Sequence, residues 1–249
     1  MKIMIPRIVH YAWFGSEKPD EVTDRIKRWK EILPNWKFIE WNESNWDVTA
    51  YKFSKTMYDT KNLGYVADPL RFDVLYRYGG LYLDTDMEVK KDLSVFLDEQ
   101  VLLGFMYDNS ILTSFIMGEK GNSFFRDAMS LYAELDYKDL IPSLYSQTSN
   151  PVVTKLMKKL YPEFKLNGKQ QRINNSIKIL PKDFFSYPSN NTEANYTEHL
   201  FMNSWGTANL GVRGWLKHVL KRYYPLLWAK ISADRGVKSS INDGLPDER

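Results

Sequence analysis

The chain has 249 residues, enough for one large domain carrying at most a small appendage. Its composition, 43% hydrophobic and 26% charged, is that of an ordinary soluble globular protein, with a raised aromatic share of 15%. A net charge of +3 argues against a dedicated nucleic-acid binder, and the lack of cysteine excludes disulfides, thiolate metal sites and a cysteine nucleophile.

The stretch 1–15 has no uninterrupted apolar run, because Pro6, Arg7 and His10 break it, and no run of about 18 apolar residues occurs anywhere. The expectation is a cytoplasmic protein. In chain order, residues 7–15 (RIVHYAWFG) predict a strand closed by Gly15. Residues 20–36 predict a helix with Val22, Ile26, Trp29 and Leu33 on one stripe and Pro34 as its stop. Residues 36–41 alternate like a strand. Residues 67–80 (ADPLRFDVLYRYGG) read as a helix with Asp68 as N-cap, Pro69 in the first turn and Gly79 as the left-handed C-cap. A short strand, 81–83, ends at Asp84. Further strands are expected near 101–107 and 114–118, helices at 122–135 and 151–161, and short strands at 177–180 and 197–202. This strand–helix alternation predicts an α/β fold with parallel strands and no internal repeat. In such sheets ligands bind beyond the carboxyl ends of the strands, where Asp84 and Asp86 fall.

Two carboxylates at i and i+2 past a strand repel one another unless something positive sits between them. An oxygen-only pair favours a hard divalent cation such as Mg²⁺ or Mn²⁺, and its incomplete shell leaves room for substrate phosphates. The bland alternative is a polar turn with Asx-type hydrogen bonds.

Three blocks in order, IPRIVHYAWFG, VADPLRFDVLYRYGGLYLDTDMEV and HLFMNSW, resemble the signatures of glycosyltransferase family 32, the bacterial capsular sugar transferases. That family is similar to the yeast initiating mannosyltransferase and, more distantly, to the large clostridial glucosylating toxins. The resemblance implies a GT-A fold with a mixed, mainly parallel sheet flanked by helices, over residues 1–210. It also implies a retaining enzyme that uses a nucleotide sugar, a UDP-sugar in the first place, with Mn²⁺ or Mg²⁺. By the same resemblance Asp86 would be the direct metal ligand, with Asp84 touching the donor and helping to place the metal. Trp13, with Ala12 beside it, would stack on the nucleotide base. Asp68 and Arg71 would hold hydroxyls of the donor sugar. Ser204 and Trp205 would close over the diphosphate, while His199 and Asn203 would complete the metal shell. The family usually shows paired histidines where this chain has His199-Leu200, and TSNPVVT (148–154) departs from the usual Gly-Pro pairing on the acceptor side. His10 reads as structural. The implied partners are the nucleotide sugar and a glycan or lipid-linked saccharide acceptor, with no nucleic acid.

Two rival readings fit the sequence less well. A phosphatase of the haloacid-dehalogenase type wants Thr or Val where Glu88 stands, and wants its motif near the chain start. A degenerate nucleotide-sugar-binding module would lack a metal carboxylate or the Ser-Trp pair, and both are present. The tail, 211–249, changes character: Trp215, Leu216, Val219, Leu220 and Tyr223 share one helical side, and Lys217, His218, Lys221 and Arg222 the other, before Pro225 breaks the pattern. It predicts a basic amphipathic helix that either packs on the domain or meets an anionic membrane, at the inner face for a cytoplasmic protein.

Overall fold

In the computed structural model, which describes residues 4–134, 149–202 and 219–249, the alternation read from the sequence becomes a layered α/β fold. Strand β1 (Ile8–Ala12) leads into α1 (Asp20–Ile32) and then β2 (Lys37–Trp41), which pairs with β1 in parallel. Helices α2 (Lys52–Asp59) and α3 (Leu63–Tyr78) return the chain to β3 (Gly80–Leu83), also parallel to β1. A short β4 (Met87–Val89) is followed by β5 (Val101–Tyr107) and β6 (Ser110–Gly118), an antiparallel hairpin. Helices α4 (Ser123–Glu134) and α5 (Ser149–Leu160) precede β7 (Gln171–Ile173) and β8 (Ile177–Leu180). A short α6 (Lys182–Phe185), β9 (Thr197–His199) and α7 (Pro225–Asn242) complete the described elements.

The main sheet has the order β2-β1-β3-β6-β5-β8-β7. Five of its strands point one way, while β6 and β7 oppose them, so the sheet is mixed and mainly parallel. Helices cover both faces, which forces the central strands to be apolar on both sides. β6 is buried along its whole length. One face packs Leu70 and Phe72 of α3 with Phe124 of α4 and Met157 of α5. The other receives the α1 stripe, Val22, Ile26, Trp29 and Leu33, each side chain worth about 1.5–3 kcal/mol on burial.

Several elements depart from the sequence expectation. Helix α3 begins at Leu63, so Asp68 is not its N-cap and Pro69 lies inside it. Pro69 offers no N–H to the carbonyl one turn back, but the helix continues through it because α3 is packed between the sheet and its neighbouring helices. Strand β6 starts four residues earlier than its apolar run suggests, and β9 stops at His199 rather than Met202. Helix α2 and strands β4 and β7 have no equivalent in the sequence reading; each is short.

The Gly79-Gly80 pair turns α3 directly into β3. Gly79 has φ +67° and Gly80 φ +113°, and a Cβ on Gly80 would collide with the carbonyl oxygen of Ile8 on the neighbouring strand. His10, expected to be structural, secures the same corner. Trp41 Nε1 donates to His10 Nδ1 at 3.1 Å, so the ring proton sits on Nε2 and is donated to the Gly79 carbonyl at 2.9 Å. Burial holds this imidazole neutral, lowering its pKa to about 4, with Arg77 and Lys37 adding to the effect against the Gly79 bond. An unfolded chain protonates His10 near 6.5, so between about pH 6.5 and 4 the unfolded state binds the extra proton and folded stability is lost as pH falls. Urea midpoints measured from pH 7 to pH 4 should therefore fall more steeply for the wild type than for His10→Gln, by up to about 3 kcal/mol. Parallel curves would show that His10 does not carry this acid sensitivity.

Candidate active site

A cavity of about 510 Å³ opens at the carboxyl ends of β1 and β3, within the roughly 300–1,000 Å³ of small-molecule sites. Asp68, Arg71, Asp84, Asp86, His199 and Ala12 all line it. Of the residues expected in the site, Asn203, Ser204 and Trp205 lie outside the described residues.

The Asp84-Thr85-Asp86 loop is held from several directions. Asp84 N–H continues the sheet to Ser114 O at 3.0 Å, and its carbonyl accepts Met87 N–H at 3.0 Å, closing a tight turn. That turn releases the two carboxylates from strict alternation, and both reach the cavity. From beneath, α1 grips the loop: Arg25 Nη1 donates to Thr85 O at 2.7 Å and Trp29 Nε1 to Met87 O at 2.8 Å. Arg25 is buried, bonds Glu21 at 3.0 Å and faces Glu88 at 3.6 Å. The sequence reading missed it because a basic residue on an amphipathic helix reads as solvated.

β4 pairs antiparallel with β9, matching Met87 with His199, and Leu200 N–H bonds Asp86 O at 2.9 Å. This brings His199 and Asp86 together across 113 residues of sequence, with Nε2 and Oδ1 3.5 Å apart. Phe201 N–H donates to His199 Nδ1 at 3.1 Å, which leaves Nε2 as the ring nitrogen facing Asp86. The structure thus places His199 beside Asp86 at the cavity, with Nδ1 taken by the backbone and Nε2 toward the carboxylate. Asp86 itself is not an open strand-end carboxylate. Its side chain is 14% exposed, and burial raises its pKa, partly offset by His199.

The donor set still suits a hard cation. Asp84 Oδ1 accepts from Tyr82 O–H at 3.0 Å, and Asp86 Oδ2 accepts from Met202 N–H at 3.2 Å. Each carboxylate keeps further lone pairs toward the cavity. Among the described residues no three His, Asp or Glu side chains form a ready metal cage. The protein shell is thus incomplete, as Mg²⁺ and Mn²⁺ sites completed by phosphates are.

Arg71 is the buried hub of the cavity wall. Nη2 bonds Asp68 Oδ1 at 2.8 Å and faces Asp84 Oδ1 at 3.6 Å. Nη1 donates to Thr113 O and Ser149 Oγ, both at 3.0 Å, and Nε to Ala67 O at 3.4 Å. Its donors are committed to the protein, so Arg71 orders the acids rather than reaching out freely. Burial opposes its charge, but Asp84 and Asp68 outweigh that and keep it protonated. Burial also pushes the Asp68 carboxyl up to about 7, against the pull of Arg71.

Two cavity residues carried no sequence signal. Asn150 Oδ1 accepts from Thr113 N–H at 2.9 Å and from Thr113 Oγ1 at 2.6 Å. A backbone N–H can only donate, so the amide orientation is fixed and the Asn150 NH₂ is directed away from Thr113 in a side chain that lines the cavity. Phe14 lines it too, beside Ala12. Trp13, by strand parity, turns the other way into the cluster of Val9, Tyr11 and Trp29, with Nε1 bonded to Ser16 O at 2.7 Å. The structure therefore brings Ala12 to the cavity but not Trp13.

The Asp84-Thr85-Asp86 loop lies inside a stretch that is similar to DXD-containing glycosyltransferases. Residues 19–103 match the family described as glycosyltransferase sugar-binding region containing DXD motif. It is 30% identical over 97 residues to inositol phosphoceramide mannosyltransferase 3 of Schizosaccharomyces pombe, a match covering 37% of this chain and 27% of that protein. It is also 30% identical over 102 residues to mannosyl phosphorylinositol ceramide synthase SUR1 of Saccharomyces cerevisiae, covering 38% of this chain and 26% of the other. The match thus spans about a quarter of the length of these relatives. Among solved structures, PaToxG Glycosyltransferase shares the fold with a TM-score of 0.54 at 12% identity, over 64% of this chain and 70% of that one.

The Arg71 hub makes a stability prediction separate from activity. Arg71→Met leaves Asp68 buried without its partner, and breaking such a pair costs about 3–5 kcal/mol. Protonation of Asp68 relieves that cost. Since its pKa is already near 7 and would rise further, the loss should be larger at pH 8 than at pH 5.5. Urea midpoints at both pH values test this; an equal or larger loss at pH 5.5 would show that Asp68 is not the residue left stranded.

Proposed function

We propose that this protein is a retaining hexosyltransferase that moves a sugar from a nucleotide-sugar donor, a UDP-sugar in the first place, to a glycan or lipid-linked acceptor. The observation that carries the reading is the convergence of Asp84, Asp86, Asp68 and the Asn150 amide on one cavity at the strand ends. Asp86 and Asp84 would hold Mn²⁺ or Mg²⁺, with Asn203 a further candidate ligand. Bound there, the ion would neutralise charge developing on the departing diphosphate. The chain's own groups do the rest. Asp68 accepts from a sugar hydroxyl and Asn150 donates to one, while Arg71 fixes Asp68 and Asp84 in register. Tyr82, whose phenol is kept protonated by burial and by Asp84, donates to Asp84 and limits its rotation. His199, with Nε2 toward Asp86, is a further candidate ligand or an orienting neighbour of that carboxylate. Ala12 and Phe14 present an apolar edge to the nucleotide, and Ser204 and Trp205 are proposed to close over the diphosphate. Among the described residues no side chain stands out as an enzyme nucleophile, and the proposed route is front-face displacement, with the leaving diphosphate taking the acceptor's proton.

The names of the two yeast relatives support a lipid-borne acceptor, since both carry an inositol-phosphate ceramide. A bacterial surface-polysaccharide acceptor on a lipid carrier fits the same chemistry. Release of nucleoside diphosphate from a panel of UDP-glucose, UDP-galactose, their N-acetyl relatives and GDP-mannose tests the reading. One donor should turn over with Mn²⁺ and not with EDTA, and Asp86→Asn should lower kcat on that donor by at least about 10²-fold. Binding of a donor with no turnover, with or without acceptor lipids, would instead identify a degenerate binding module.

A further inference from the structure

The C-terminal helix α7 is fastened to the domain by its inner side. Trp228, Ala229, Ala233, Gly236 and Val237 are buried. The Trp228 ring packs on Phe201 at 5.4 Å and on Tyr187 at 5.7 Å, and Gly236 lies so close to the Tyr107 ring that no side chain fits. Lys221 spans the same junction, bonding Leu200 O at 2.8 Å with its ammonium over Trp228. Phe201 and Tyr107 line the catalytic cavity, so this helix is an outer buttress of that cavity.

Its leading end behaves differently. Around Pro225, Tyr223 is 66% exposed, Tyr224 61%, Leu226 41% and Leu227 50%. Half of the large exposed hydrophobic side chains among the described residues are gathered in these five positions. An apolar knuckle of this kind costs solubility unless something covers it. The charge around it says what. From 219 to 233 the chain carries Lys221, Arg222 and Lys230 and no Asp or Glu. Arg222 and Lys230 are exposed, and Arg222 lies over the Tyr223 ring. Tyrosine and leucine beside arginine and lysine suit the boundary between headgroups and acyl chains of an anionic bilayer. A second copy fits less well, because four side chains fall far short of the roughly 20–30 residues a side in a stable protein interface.

We infer that the Tyr223–Leu227 knuckle, flanked by Arg222 and Lys230, docks this protein peripherally on an anionic phospholipid surface. Among the described residues no helix is long and apolar enough to cross a membrane, so the contact is one of a helix end dipping into the interface. Through Trp228 and Phe201 it would hold the cavity close to that surface. The docking stands on the patch and its charge, whatever sugar is transferred.

Co-sedimentation of the full chain with vesicles tests it, using phosphatidylcholine alone and phosphatidylcholine mixed with phosphatidylglycerol. The protein should pellet with the anionic vesicles at low salt, much less with the neutral ones, and should be released by high salt. A Leu226→Ser/Leu227→Ser variant should keep its thermal midpoint, because both side chains are exposed, yet lose about tenfold or more in partitioning. Wild-type protein left in the supernatant with anionic vesicles at low salt would overturn the docking. So would a variant that partitions as the wild type does. If the wild type fails to bind vesicles but forms a concentration-dependent dimer that the variant abolishes, the knuckle is a self-association surface instead.

Discussion

A buried guanidinium is the constraint around which this site is built. Removing the charge of Arg71 from water is tolerable only if its N–H groups find acceptors inside the protein. Those acceptors come from four parts of the chain: Ala67 and Asp68 on its own helix, Asp84 at the end of β3, Thr113 on β6 and Ser149 at the start of α5. Satisfying one side chain therefore fixes the helix, two strands and a second helix at one point. The cavity between them follows. Two acids that would otherwise repel, Asp68 and Asp84, are held on the same guanidinium, and both line the cavity.

The second carboxylate of the pair is anchored from the opposite side of the sheet. Arg25 and Trp29, one helical turn apart on α1, reach the backbone carbonyls of Thr85 and Met87, while β9 adds its N–H groups to the carbonyl and carboxylate of Asp86. The loop is thus a bridge between two buried arginines, one on each side. Such a loop resists the separation that two adjacent negative charges favour. His199 stands beside Asp86, and its ring orientation follows from one backbone N–H, that of Phe201.

What the sequence disclosed and what it hid divide along the range of the interactions. The α1 stripe, the Gly79-Gly80 turn and the position of Asp84 and Asp86 beyond a strand are local patterns, and each was readable. The layered α/β architecture followed from the same periodicities. Asp68 was misplaced because Pro69 is a local signal for a helix start, and the packing of α3 overrides it. Arg25 could not be recognised because its burial depends on a carbonyl 60 residues away. Asn150 needed the position of Thr113 to fix its amide. For Trp13 the block was right but the face was not: strand parity sends Ala12 and Phe14 to the cavity and Trp13 to the core, and only the assembled sheet shows which face holds the site.

On the proposed function, Asp84 and Asp86 form an oxygen-donor pair that would hold a divalent cation shared with a diphosphate. Counting free Mn²⁺ by its electron paramagnetic resonance signal, with increasing protein and with UDP present or absent, tests this most directly. Mn²⁺ alone should bind weakly, and the free signal should be strongly depleted when UDP is added. Folded Asp86→Asn protein should lose that depletion. UDP binding that is indifferent to Mn²⁺, or depletion unchanged in Asp86→Asn, would contradict it.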